Sequence, residues 1–354
     1  MARTKTKPAR TTDGALVYPV PEPPAAGQLL EVAPGILWAR VPLPFRLDHI
    51  NVYLIDDGDG WAILDTGLGN DATRALWEAL AKGPLAGRRL TRLIVTHHHP
   101  DHIGLAGWLC ERFEVPLLTS ETSYLFCQNV SLSPGALDAK PYRDFYLRHG
   151  VDAAIANRVA TQGHAYLKMV SGLPPTFERL VAGDTLRIGG RSFEVLTGNG
   201  HSPEQVMLYC PADNLFLAAD QVLAKITPNI SVWAVNPTGD PLGLYMRSLS
   251  ELKARLPADA LVLPGHQLPF YGLHIRADEL AAHHEMRCAL IAEACRAAPR
   301  SAAELVPVLF PRQLDPHQLS FAFSETLAHV NFMLRRGELI WAEAAGGVER
   351  VVTS

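Results

Sequence analysis

Cysteine is scarce and unpatterned in this chain. Cys110, Cys127, Cys210, Cys288 and Cys295 are odd in number and contain no C-x-x-C spacing, which argues against a disulfide framework and a thiolate zinc site. They read as core thiols in a reducing cytoplasm, where we place the protein. No apolar run approaches the roughly 18 residues a membrane helix needs, so no membrane partner is expected. An excess of positive charge is missing too. The 32 Lys and Arg against 36 Asp and Glu leave a net charge of −4, and no basic block follows residue 10. Phosphate binding wants clustered Lys and Arg, so nucleic acid is a disfavoured partner. The N-terminus lacks the apolar segment of a secretory signal. It is basic and polar, then Pro-rich through Pro24, and residues 1–28 read as a disordered leader.

What is present is an ordinary globular composition, 48% apolar and 19% charged, long enough for one large domain with an appendage. From about Leu29, short apolar runs alternate with turn signals. Gly35–Val41 and His49–Ile55 read as strands, and Trp61–Leu64 follows a Gly-rich turn as the return arm of a hairpin. Asp71–Ala81 has helical spacing, with Asn70 or Asp71 as its cap. Leu93–Val95 reads as a short buried strand and Ile103–Phe113 as a helix. Further on, Arg191–Thr197, Gln205–Tyr209, Leu215–Ala219 and Ala260–Leu263 are expected strands, and Pro241–Leu256 a helix. Such a pattern suits helices packed outside β-layers.

Between about residues 120 and 175 the pattern turns mainly helical and interrupts the strands, so an inserted lid is expected. Residues 275–354 read as three helices followed by a small hairpin, a winged-helix-like arrangement. The expected division is a leader (1–28), a catalytic domain (29–274) carrying the insert, and a C-terminal domain (275–354).

The chemistry is concentrated in His97-His98-His99-Pro100-Asp101-His102. On an extended segment residues i and i+2 face the same way, so His97 and His99 aim at one point while His98 points elsewhere. Pro100 ends the strand, and the following turn brings Asp101 and His102 round. Three more candidates stand just after expected strands: His201, Asp220 and His266. Asp220 ends an otherwise apolar strand, where a carboxylate is costly without a partner.

These motifs carry a family resemblance. Residues 96–102, T-H-H-H-P-D-H, resemble the H-x-H-x-D-H motif of the metallo-β-lactamase superfamily. Leu64-Asp65-Thr66-Gly67 resembles its early L-D-T-G element. Gly200-His201-Ser202-Pro203, Ala218-Ala219-Asp220 and Pro264-Gly265-His266 resemble its later ligand motifs, in order, across about residues 30–270. The resemblance implies an α+β fold: an αββα sandwich with its metals at one edge of two sheets, here with a helical insert and a mainly helical C-terminal extension.

Carried over residue by residue, the resemblance gives His97, His99 and His201 to a first metal and Asp101, His102 and His266 to a second, with Asp220 bridging. Asp65 is implied as a group orienting a histidine or the metal water, and Asp220, Asp101 and Asp65 are the catalytic carboxylates. Imidazole and carboxylate without thiolate suit zinc, iron or manganese; two zinc ions are the expected cofactor, with iron and manganese as alternatives. Electron-transferring iron relatives carry a glutamate at the position of His99, and zinc β-lactamases usually lack the bridging carboxylate, so neither activity is expected.

Within the family the chain is similar to glyoxalase II-like hydrolases. This implies that a metal-bridging hydroxide attacks a polarised carbonyl. Tyr124, Phe126, Phe145, Tyr146, Tyr166 and Met169 of the insert, and Trp233 after Asp220, are candidate linings of an apolar pocket, though each fits a helical core equally well. They favour a small-molecule thioester or ester with an apolar acyl part. A lactonase or other small-molecule metallohydrolase, and a phosphodiesterase or nuclease, are the alternatives. No basic C-terminal cluster of the glutathione-binding kind is seen, which speaks against hydroxyacylglutathione. His283 and His284 are adjacent on a helix, do not share a face, and read as solvated or as capping the site from a distance. The C-terminal domain is expected to pack on the core or to form a homodimer contact.

Overall fold

The computed structural model describes residues 15–135, 140–160, 162–342 and 347–354. A first sheet holds β1 (Leu30–Ala33), β2 (Ile36–Pro42), β3 (His49–Asp56), β4 (Gly60–Leu64), β5 (Arg89–Ile94), β6 (Leu117–Thr119) and β7 (Glu178–Arg179), side by side in that order. Its first four strands pair antiparallel and the rest parallel. A second sheet runs β8 (Thr185–Ile188), β9 (Arg191–Gly198), β10 (Gln205–Cys210), β11 (Leu215–Ala219) and β12 (Leu261–Pro264).

Period-two alternation explains why the sheets stack. On β3, Ile50, Val52 and Leu54 face a core shared with helices, while Tyr53 and Ile55 face the opposite sheet. On β10, Val206, Leu208 and Cys210 face the first sheet, and Met207 and Tyr209 turn to the helices behind. Strands buried on both faces read as near-continuous apolar runs, as these do.

Helices cover both outer faces. α1 (Asp71–Lys82) starts where the Asn70 side chain accepts from Thr73 N. It is followed by α2 (Pro100–Ile103) and α3 (Ala106–Phe113). The single helix expected over Ile103–Phe113 is therefore broken. Gly104 O is taken by Ser171 N at 2.6 Å, and a Cβ on Gly104 would lie 2.6 Å from Met169 O. The backbone of the insert's tail thus presses into the helix where only glycine fits.

The insert supplies α4 (Glu121–Leu132), α5 (Lys140–Arg148), α6 (Ala153–Ala160) and α7 (Gln162–Leu167). After the second sheet come α8 (Pro241–Arg255), α9 (Leu273–Ala297), α10 (Ala302–Leu309) and α11 (Pro316–Arg335), with the hairpin β13 (Leu339–Trp341) and β14 (Val351–Thr353). Residues 343–346, between the arms of the hairpin, lie outside the described residues. The hairpin appears as expected, but the C-terminal segment has no core of its own: Leu305, Phe323 and Leu327 join one cluster with Met207 and Phe216 of the second sheet.

Residues 1–14 lie outside the described residues. Residues 15–28 do not form the loose leader expected from their prolines. Val17 N donates to Tyr271 O at 3.2 Å, Tyr271 N returns to Val17 O at 2.8 Å, and Pro24 is buried. All five cysteines are free and buried. No helix among the described residues is long and apolar enough to cross a membrane.

Candidate metal centre

The candidate ligands leave strand ends at one edge of the sandwich. β5 stops at Ile94, and the chain runs on through His97 to His99, which is extended (φ −63°, ψ 145°) ahead of Pro100. His201, Asp220 and His266 follow the C-terminal ends of β9, β11 and β12. β3 fixes the last of these. Asn51 N donates to Gly265 O at 2.7 Å, and the Asn51 amide and the Tyr53 hydroxyl both reach Pro264 O at 2.9 Å.

Three overlapping ligand groups result: His97, His99 and His201; His97, His102 and Asp220; and Asp101, His102 and His266. Within each group the donor atoms lie within 4.8 Å of one another. His97 Nε2 and His99 Nδ1 are 2.9 Å apart. Asp220 Oδ2 stands 3.4 Å from His102 Nε2, 3.4 Å from His201 Nε2 and 3.3 Å from His266 Nε2, so one carboxylate oxygen meets imidazoles drawn from all three groups.

Hydrogen bonds on the far side of the rings set their tautomers. His201 Nδ1 donates to Asn229 O at 2.9 Å and His266 Nδ1 to His49 O at 2.7 Å. His102 Nδ1 donates to Asp65 Oδ2 at 2.8 Å. The Thr96 hydroxyl donates to Asp65 Oδ2 and accepts from His97 Nδ1, each at 2.9 Å. All four rings therefore turn Nε2 to the centre; His99 turns Nδ1 there.

His102 Nε2, His201 Nε2 and Asp220 Oδ1 are buried with no hydrogen-bond partner. A buried polar atom left unsatisfied costs about 1–3 kcal/mol, and three in one cluster call for a cation. The donor set fits a divalent metal: imidazole and carboxylate, no thiolate, ring nitrogens already directed inward.

In the absence of a cation, charge is unevenly held. Burial, reinforced by His102 and the other imidazoles, keeps His97 well below the usual histidine range, and burial with His201 does the same to His99. Burial opposes protonation of His102, but Asp220, Asp65 and Asp101 outweigh it and raise the ring well above its ordinary value. His266 is pushed up to about 10, chiefly by Asp220 and Asp101, against the same burial penalty. Asp220, although buried, is held well below the carboxylate range by His266 and His102.

The backbone is strained around the centre. Asp65 (φ 64°), Ala219 (φ 45°) and Gln267 (φ 69°) adopt left-handed conformations, each costing on the order of 1–3 kcal/mol. Each is the ligand-orienting carboxylate or the immediate neighbour of a candidate ligand. Gly265 fills a different need: a Cβ there would lie 2.2 Å from Asp220 Oδ1.

The predicted pocket residues divide. Phe126 packs against His98 in a tilted arrangement with ring centroids 4.0 Å apart, and the Tyr166 hydroxyl donates to His98 O at 2.7 Å. Met169 O accepts from Gly69 N, and Tyr124 stacks on Phe177 at 4.1 Å. Trp233 is exposed in the loop after Asp220. Phe145 and Tyr146 go elsewhere: both pack on Phe323 of α11, because α5 turns its apolar face to the C-terminal helices. His98 takes no part in the ligand groups; its Nδ1 is 3.1 Å from Ser202 Oγ. His284 is not solvated: it is fully buried, with Nδ1 3.1 Å from His329 Nε2. Sequence reasoning missed Thr96, His49 and Asn229. Thr96 carried a signal, being adjacent to His97, whereas the backbone carbonyls of His49 and Asn229 carried none.

A profile described as "Metallo-beta-lactamase superfamily" matches residues 46–266, and one described as "Metallo-beta-lactamase-like, C-terminal domain" matches residues 288–354. A beta-lactamase domain protein from Burkholderia ambifaria, solved by crystallography, is 40% identical with a TM-score of 0.86, covering 96% of this chain and 97% of that one. A metallo-beta-lactamase family protein from Thermus thermophilus is 29% identical with a TM-score of 0.75, over 92% of this chain and 100% of that one. Among curated relatives, the "Probable metallo-hydrolase YqjP" of Bacillus subtilis (strain 168) is 25% identical over 84% of this chain and 92% of its own. A hydroxyacylglutathione hydrolase of Cereibacter sphaeroides is 26% identical over 62% of this chain and 67% of its own. With the donor groups converging at the sandwich edge, these likenesses assign the fold and its metal-dependent hydrolase character, and the chain belongs to the metallo-beta-lactamase superfamily.

Proposed function

We propose that the protein is a dinuclear zinc hydrolase of thioesters or esters with an apolar acyl part. The observation that carries this reading is Asp220 Oδ2, within 3.4 Å of Nε2 atoms belonging to both ligand sets. A carboxylate so placed suits two metals sharing it, with His97, His99 and His201 on one and Asp101, His102 and His266 on the other. Two bound metals supply Lewis acidity and a water that ionises near neutral pH rather than near 16.

The chain's own residues supply the rest. Asp65 holds His102 Nδ1–H and, through the Thr96 hydroxyl, His97, which keeps both rings in the ligating tautomer. Asn229 O and His49 O do the same for His201 and His266. Asp101, the more exposed of the two carboxylates, lies 3.4 Å from His266 Nε2 and stays ionised because His102 and His266 outweigh its burial. Phe126, packed against His98 beside the ligand segment, and Trp233, exposed in the loop that carries Asn229, support an apolar acyl group at the mouth. The likeness to a hydroxyacylglutathione hydrolase favours a thioester over the lactone and phosphodiester alternatives.

The test is release of free thiol from a panel of acyl thioesters by zinc-loaded protein. Turnover is expected for the native chain and for His98→Ala, and is expected to vanish with bound zinc in Asp220→Ala. Silence across the panel with both zinc ions bound would overturn the thioester assignment.

A further inference from the structure

Gln221, the residue after Asp220, is fully buried although it is polar. Its amide spans two of the loops that carry candidate ligands. Nε2 donates to Asn199 O at 3.2 Å, two residues before His201. Oε1 accepts from Gln205 Nε2, at the start of β10, at 3.3 Å. The Asn199 carbonyl needs a donor, which decides which end of the amide faces it. The Gln205 side chain is itself fully buried and makes no other hydrogen bond among the described residues.

Each loop is a closed unit. The Asn199 side chain accepts from Glu204 N at 3.2 Å, with His201 inside the loop so formed. Gln221 N donates to Ala218 O at 3.1 Å, which closes the turn round Asp220. Packing then leaves the amide no lateral room. A Cβ on Gly198 would lie 2.4 Å from Gln221 Oε1, and one on Gly200 would lie 2.4 Å from Tyr245 Cβ. The Tyr245 hydroxyl of α8 donates to Gln221 O at 3.1 Å. A shift of the amide therefore moves the Asn199–Glu204 loop against the Asp220 turn, and His201 Nε2 and Asp220 Oδ2 stand 3.4 Å apart across that seam.

We propose that Gln221 is a positioning residue for the metal centre: its amide ties two ligand loops together and so sets the separation of His201 and Asp220. It acts through those two residues rather than as a ligand. The inference goes beyond the thioesterase reading and does not rest on it, because any divalent metal held by His201 and Asp220 reports the effect. A residue that merely packs costs stability when it is lost. A positioning residue also costs metal affinity, out of proportion to stability.

Cobalt(II) is the probe, its affinity read by chelator competition and its ligand geometry by its visible absorption bands. Gln221→Met keeps the length of the side chain and removes both of the amide's hydrogen bonds. It should weaken binding about 10–100-fold, the range for losing a group that orients a ligand, and shift the bands. Asn214→Ala is the control for stability alone. It removes hydrogen bonds to Tyr209 and Asp259 at the opposite end of β11, and should lower the Tm of the metal-free protein while affinity and bands stay native. Gly198→Ala pushes on the amide without removing it and should also weaken binding. In a Gln221→Ala background, where that space is free, it should cost no further affinity. Native affinity and native bands in Gln221→Met or in Gly198→Ala would overturn the proposal. So would losses that simply add in the Gly198→Ala/Gln221→Ala pair, or an equal loss of affinity in Asn214→Ala at an equal loss of Tm.

Discussion

Gly265→Ala adds one methyl group at the most crowded point of the centre. The new Cβ would lie 2.2 Å from Asp220 Oδ1 and 3.0 Å from His102 Cε1, against an ordinary carbon–oxygen contact of about 3.3 Å. The shortfall of about 1 Å cannot be absorbed by moving Gly265, because its N–H donates to Ala219 O and its carbonyl accepts from Asn51 N, each at 2.7 Å. The Asp220 carboxylate must yield instead. Metal–ligand distances tolerate only about ±0.2 Å, so a displacement of that size takes the Asp220 carboxylate out of ligating range. We expect about 10–100-fold weaker metal binding, the range seen when a ligand's orientation is lost. Overpacking should also cost the metal-free protein about 1–3 kcal/mol. Chelator competition reads the first quantity and thermal unfolding of the stripped protein the second. Gly190→Ala is the control, since nothing lies within 4 Å of its added Cβ. A Gly265→Ala protein with native metal affinity and native Tm would refute the argument, because it would mean that Asp220 is not held against this glycine.

Further outcomes follow from the same geometry. Asp65→Asn keeps the shape but puts an amide where Asp65 Oδ2 accepts from both His102 and Thr96, and should weaken metal binding about 10–100-fold in chelator competition without abolishing folding. Arg276→Lys removes the guanidinium fork that donates to Leu223 O at 2.6 Å and Ile226 O at 3.0 Å. It should destabilise the protein by about 1–3 kcal/mol and loosen the loop carrying Asn229, read as lowered Tm and faster loss of the bound metal to a chelator. In the metal-free protein His266 titrates at about 10 and His102 is raised as well, so both are protonated at neutral pH. Metal binding at pH 7 should therefore release protons and tighten as pH rises toward about 10; calorimetry in buffers of different ionisation enthalpy would show pH-independent binding if this were wrong. The same raised pKa makes His266 a stabilising group in the metal-free fold below about 6.5, and that contribution is lost as pH rises through about 10.

Much of the centre was legible because its logic is local. His97, His99, Asp101 and His102 fall within six residues, and the spacing of an extended segment followed by a turn is enough to gather them. Alternation along β3 and β10 likewise announced strands, since period-two burial is a property of the strand itself. The insert was harder. Apolar spacing on α5 says that one face is buried, not what buries it, and Phe145 and Tyr146 turned out to face Phe323 rather than the donor cluster. The break at Gly104 has the same origin, because the backbone that presses on it comes from Met169–Ser171, distant in the chain.

By itself the sequence determined the ligand types, their order and the strand-to-loop positions from which they project, because these depend on residue chemistry and short-range geometry. Only the tertiary structure decided that Asp220 meets His102, His201 and His266 at once, and that Asn229 and His49 lend carbonyls to His201 and His266. Those relations join residues far apart in the chain, and no local propensity encodes a distance between them until the two sheets have closed on each other.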